Sequence, residues 1–346
     1  MKYSFKGYIL LTILPLMLIS CGEQEKAPDV SNIEVAMSSR RLDKDMYEID
    51  TNNIAQGLMK LEQRYPEFLP FYLDTLMGFG VEGNYTEDNN GIQKGVKTFL
   101  THKDYRGVFD TVLARYPETG AIEEELRKGF KYLKFYLPDS KVPDIIYFVS
   151  GLNNYGAITY GSNTLAIGLD MFLGADYPFY KSVAIPEYFS RQLNQNYIPV
   201  AVFRTLYREK HPFIVQDKVL LDMMIQSGKE MYFVDKVLPF VPEEVRLAYT
   251  AEQLKWCKES EPMIYDFFIR QNLLYENKLQ KVVRYVMEGP SATGMPLESP
   301  GNIGAWLGLQ IVKSYMKQHP EMSLSDLMKV EVDAQQFLHE SKYKPK

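Results

Sequence analysis

Glu187 is the residue of this sequence most readily given a chemical task. It lies in "SVAIPEYFSRQL", residues 182–193, read as an amphipathic helix opening at a proline. A glutamate on a helix can polarise a metal-bound water when two ligands flank it, one residue before and three after, so that both share a face one turn apart. Those positions hold Pro186 and Ser190. Proline cannot ligate, and a neutral serine is a poor zinc ligand. A third ligand from a later helix would stand at Ser227, before Gly228 in "MIQSGKEMYFVD". The four histidines, His102, His211, His319 and His339, do not pair at ligand spacing. No metal or other cofactor is therefore expected. Packing alone accounts for the stretch. Pro186 fits a first helical turn, Glu187 meets the positive end of the helix dipole, and Tyr188, Phe189 and Leu193 fill space.

Other catalytic kits are missing from the sequence. There is no Gly-x-Ser-x-Gly elbow, phosphate loop or dinucleotide fingerprint. "EGNYTEDNNG", Glu82 to Gly91, is rich in oxygens but lacks calcium-loop spacing, and reads as an ordinary loop. With a mixed composition and a net charge of −5, nothing marks nucleic acid as a partner.

The elements that must position such a site change character along the chain. Residues 53–137 follow a helical period, as in "GVFDTVLARYPET" and "AIEEELRKGFKYLKFYLPD". "RYPE" occurs at Arg64 and Arg115, with an echo, "QHPE", at Gln318; each is read as a helix stop. "SRRLDKDMYEID" alternates like a short strand entering the fold. "DIIYFVSG" reads as a strand, and "GAITYGSNTLAIGLDMFLG" as two more, joined near Gly161 to Asn163. Helices then dominate to the end. The expected fold class is α+β, predominantly helical, with a small mixed sheet and a helical C-terminal half.

The first twenty residues are a separate object. Lys2 and Lys6 precede the apolar run "YILLTILPLMLIS", too short for an ordinary spanning helix and read as a secretory signal. It ends in Leu18, Ile19, Ser20 and Cys21, which resembles the bacterial lipoprotein box, with Cys21 lipidated as the first mature residue. Loss of Lys2 and Lys6 would take the net charge from −5 to −7. Cys257, in "EQLKWCKES", is then the one remaining cysteine, a packed thiol without a disulfide partner. Residues 21–37 read as a flexible tether and residues 38–346 as a single globular domain, with helices and sheet in 38–180 and the helical half in 181–346.

Six phrases carry a family resemblance: "RRLDKDMYEID", "LAIGLDMFLGADYPFY", "PEYFSRQL", "GKEMYFVDKVLP", "YTAEQLKWC" and "ESPGNIGAWLGLQIVKSYM". Together with the lipoprotein box, they resemble the gliding motility lipoprotein GldB family from Arg41 to about Leu327. That resemblance implies a lipid-anchored protein of the cell envelope, most readily at the outer membrane and facing the periplasm or the surface. The family is in turn distantly similar to predicted zinc peptidases, which implies a zincin-like core. There the active helix follows an edge strand, here assigned to "NTLAIGLDMF", and its two histidines correspond to Pro186 and Ser190.

The expected function is accordingly non-catalytic: scaffolding or binding of envelope proteins, with the membrane engaged through Cys21. Glu187, Tyr188, Arg191, Ser227, Glu298 and Trp306 are the candidates for a remnant cleft. Such a cleft could hold a peptide strand against the edge of the sheet. Gly301, Gly304 and Gly308 share a helix face and permit a close crossing, expected against the "PEYF" helix, with Ser299 as cap and Pro300 at the helix start. Two other readings stay open. One is an unorthodox peptidase around Glu187, and the other is an envelope ligand-binding protein with an aromatic cleft.

Overall fold

The structure is a computed structural model. It describes residues 27–80, 84–85, 90–153, 155–331 and 333–346. The signal, Cys21 and most of the Glu82–Gly91 loop lie outside the described residues.

A four-stranded sheet organises the first half. Its strands are β1 (Ser39–Arg41), β2 (Asp144–Phe148), β3 (Ala157–Tyr160) and β4 (Thr164–Gly168), in the order β1-β2-β4-β3. β1, β2 and β4 run parallel, with Arg40 opposite Ile146 and Ile146 opposite Ala166. β3 returns antiparallel along β4, with Ile158 opposite Ala166. Ile145, Ile146, Tyr147 and Phe148 are buried, as a central strand covered on both faces requires. The expected turn between β3 and β4 is present, and Gly161 supplies its positive φ of 58°. The edge strands are β1 and β3, not the "NTLAIGLDMF" segment, since β4 sits between β2 and β3.

The fold is α+β and predominantly helical. Helix α1 (Gly120–Tyr136) precedes β2. After the sheet come α2 (Glu187–Ser190), α3 (Ile198–Lys210), α4 (Leu220–Val237), α5 (Glu261–Arg270), α6 (Ile303–Gln318) and α7 (Ala334–Ser341). α4 packs against α1, α3, α6 and α7. Its composition, apolar around most of its circumference, suits that central place. α4 and α6 cross with their backbones in contact. A β-carbon on Gly228 would come within 2.8 Å of the Leu309 nitrogen, and one on Gly308 would penetrate the Met224 carbonyl. The small-residue face therefore docks on α4 rather than on the "PEYF" segment.

Three helices end at Arg64, Arg115 and Gln318, where the repeated phrase places them. Tyr65, Tyr116 and His319, each before a proline, have left the helical region, with φ and ψ near −132° and 55°, −123° and 60°, −121° and 66°. Proline excludes the α conformation from its predecessor, so one local cause stops all three.

Several local expectations differ. Only Ser39–Arg41 of "SRRLDKDMYEID" is strand; Leu42–Tyr47 is helix, burying Leu42 and Met46 one turn apart. Residues 182–193 do not form one helix. Pro178–Ser182 is helical, Ala184 has φ 59°, and α2 spans four residues after Pro186. α6 begins at Ile303, not Pro300. Ser299 is buried before it, accepting from the Ala292 N–H at 3.1 Å and donating to the Pro296 carbonyl at 2.7 Å. Of the segment expected as a tether, residues 27–37 are described, and Val35 and Met37 lie partly buried against the core. No helix among the described residues is long and apolar enough to cross a membrane.

Candidate functional site

α3 lies along β3, one of the two edges of the sheet. Thr205 ties the two together, its hydroxyl donating to the Ala157 carbonyl at 3.4 Å. Pro199 sits in the first turn of α3, where its missing N–H is tolerated. Val200, Val202 and Phe203 anchor the helix in the core. One turn apart on the same helix stand Arg204 and Arg208, and α4 presents Glu230 to both.

The geometry is tight. Arg208 donates from Nε to Glu230 Oε2 and from Nη2 to Oε1, each at 2.8 Å. Arg204 Nε lies 3.6 Å from Glu230 Oε1, and its Nη1 lies 3.8 Å from Glu288 Oε1. Arg204 Nη1 donates to the Tyr197 hydroxyl and Nη2 to the Arg246 carbonyl, both at 3.0 Å. Gln192 donates to the other Glu288 oxygen. Arg246 in turn lies 3.1 Å from Asp235, which also meets Lys313 at 3.0 Å. The Arg204 and Glu230 side chains are 8% and 9% exposed, so this is a buried ionic cluster and not a surface pair.

Its electrostatics are consistent with that placement. Burial opposes the Arg204 charge, but Tyr197, Glu230 and Glu288 outweigh it and hold its pKa above the ordinary value. Burial pushes the Tyr197 hydroxyl up to about 12, so it remains a neutral acceptor. The guanidinium groups are permanently protonated and have no lone pair to offer a metal. Glu230, the carboxylate between them, is already satisfied by arginine. The donor set here does not fit a zinc ion. Among the described residues, no three of His, Cys, Asp and Glu converge as metal ligands.

The residues singled out from the sequence are distributed differently. Glu187 is exposed at the start of α2, and Tyr188 is half-buried beside it. Ser190 is buried and donates to the Glu187 carbonyl at 2.9 Å. Arg191 is half-buried close to Tyr249, whose hydroxyl also feels Arg204 and Glu288, so Arg191 borders the cluster. Ser227 is half-buried one turn before Glu230 on α4. Glu298 is exposed in the loop before α6, and Trp306, 1% exposed, is a core side chain. Arg191 and Ser227 thus adjoin the cluster, while Glu187 and Glu298 face solvent and Trp306 faces the core. Arg204, Arg208 and Glu230 escaped the sequence reading. The signal available was a charged Arg204 inside the apolar run "IPVAVFRTLY".

Beside the cluster, a cavity of about 340 Å³ opens at the end of β3. Leu133, Leu137, Leu206, Tyr207 and Phe233 contribute its apolar surface, and Thr159 brings the strand to it. The Gly168 N–H donates to the Gly156 carbonyl at 3.1 Å. The antiparallel alternation then directs the backbone groups of Ala157 and Thr159 away from β4, where Thr205 of α3 already meets the Ala157 carbonyl.

Fold and site together define an α+β domain in which paired arginines and a glutamate fill the junction of two helices beside an antiparallel edge strand. The family described as gliding motility protein GldB matches residues 23–345, and the chain belongs to that family. Comparison with curated proteins and with solved structures found no match.

Proposed function

We propose that this GldB-family chain is a lipid-anchored protein of the outer membrane that works by binding envelope partners of the gliding or an allied secretion machinery, without catalysis. One observation carries the reading: the helix beside the edge strand β3 presents Arg204 and Arg208 one turn apart, and Glu230 is consumed in holding them. Arginines at that spacing supply no metal ligand, just as Pro186 and Ser190 supply none at the positions assigned to the histidines.

The binding mode follows from the edge. The backbone groups of Thr159 point away from β4, and the adjoining cavity is wide enough for one large apolar side chain. An extended segment of a partner protein would add a strand there and seat a side chain among Leu206, Tyr207 and Phe233. Cys21 would hold the body at the membrane.

A photo-crosslinking side chain placed at Thr159 or at Leu206 in cells tests this. The expected result is a discrete adduct with an envelope protein from both positions and none from exposed Lys317. Absence of adducts, together with peptide hydrolysis abolished by Glu187→Gln, would overturn it in favour of an enzyme.

A further inference from the structure

Exposed apolar side chains concentrate in one stretch. Leu297 is 85% exposed, Met287 56% and Tyr275 54%; Ile269 and Leu279 follow in the same segment. Local contacts fold this stretch into a single region. Phe267 of α5 lies 6.0 Å from the Tyr285 ring, and the Tyr285 hydroxyl donates to the Thr293 carbonyl at 3.1 Å. Gly294, at φ 82°, turns the loop tightly against Phe267, where a β-carbon would sit 3.3 Å from the ring. Leu297 projects from the loop just beyond this contact.

Basic side chains are interspersed here: residues 266–298 hold Arg270, Lys278, Lys281 and Arg284 against Asp266, Glu276, Glu288 and Glu298, a local balance in a chain that carries −5 overall. Lys281 pairs with Glu276 at 2.9 Å and Arg270 with Asp266 at 2.6 Å. Lys278 and Arg284 are exposed and form no salt bridge among the described residues.

The geometry points to a membrane-contact surface: Leu297, Met287 and Leu279 enter the interface of an anionic bilayer while Lys278 and Arg284 meet its headgroups. Leucine and methionine on a protruding loop, interleaved with unpaired lysine and arginine, are the pattern of an interfacial segment. Lysine is depleted from protein-binding surfaces, and here Lys278 directly precedes exposed Leu279. Anchorage through Cys21, on which the relevance of this surface rests, would keep the bilayer within reach.

The mature chain carrying Cys21→Ser, and so lacking lipid, tests the surface independently of the anchor. Its co-flotation would be measured with vesicles of phosphatidylglycerol and phosphatidylethanolamine, and with vesicles of phosphatidylcholine alone. The expected result is binding to the anionic vesicles that weakens with added salt. The Leu297→Ser/Met287→Ser variant should bind at least about tenfold more weakly, and Lys278→Glu/Arg284→Glu should lose the preference for anionic lipid. All four positions are exposed, and unchanged circular dichroism would verify folding. No binding to either vesicle, or binding unaffected by both variants, overturns the membrane assignment and gives the patch to a protein partner. Absence of acylation at Cys21 in cells would overturn the anchor reading alone.

Discussion

Arg208 holds Glu230 by two parallel hydrogen bonds of 2.8 Å, and the same carboxylate lies 3.6 Å from Arg204 one turn earlier on α3. The three charges are unequal in burial. The Arg208 side chain is 57% exposed, whereas those of Arg204 and Glu230 are almost enclosed.

Removing Glu230 should therefore cost far more than removing Arg208. Glu230→Gln leaves the buried Arg204 charge undercompensated and should lower stability by about 3 kcal/mol. Arg208→Ala gives up a partly solvated pair and should cost about 1 kcal/mol. Urea unfolding followed by circular dichroism measures both. Equal losses would contradict the asymmetry.

The α4–α6 crossing predicts a second sharp effect. Gly308→Ala would force its methyl into the Met224 backbone, and neither helix can move without disturbing the other. The loss should be about 3 kcal/mol or more. Gly120→Ala, where nothing lies within 4 Å of the added carbon, should be close to neutral. Thermal unfolding of the two variants makes the comparison.

Lys229 gives stability a pH dependence. It is 9% exposed, donates to the Val330 carbonyl at 2.8 Å, and lies 5.5 Å from the Phe337 ring. Burial depresses its pKa to about 8. Between about pH 8 and its ordinary 10.5, the unfolded chain binds the extra proton, so this group adds stability as pH rises. Below about 8 both states are charged and burial exacts its full cost. Lys229→Met should remove this increment, on the order of 2 kcal/mol, from the stability–pH curve. An unchanged difference between pH 7.5 and 10 would refute the assignment.

Cys257 should behave as a core atom. It is 0% exposed, and burial pushes its thiol well above the ordinary range. A disulfide reagent should label it at least about a hundredfold faster in urea than in the native chain. Rapid native labelling would mean that the helix around it opens.

Much of this was legible in residues. β-branched and aromatic runs marked β2, β3 and β4, and the proline after Tyr65, Tyr116 and His319 marked three helix ends, because these signals act within a few residues. The glycine face of α6 was legible as a close crossing, but its partner was not, since nothing local in Gly304 or Gly308 names α4. The ionic cluster was hidden for the same reason. Arg208 and Glu230 are 22 residues apart, and Arg204 and Glu288 belong to distant segments. The stretch around Glu187 drew attention through its spacing, yet a left-handed Ala184 and the shortness of α2 set it at the surface.

Arg204 and Arg208 take up the Glu230 carboxylate and leave no ligand set for zinc at the junction of α3 and α4. Metal content of the purified mature chain tests this most directly. After incubation with zinc and dialysis, the account predicts much less than one zinc per chain, with the same result for Glu230→Gln. One zinc retained per chain in the wild type would contradict it, requiring ligands to converge that the arginine cluster leaves no room for.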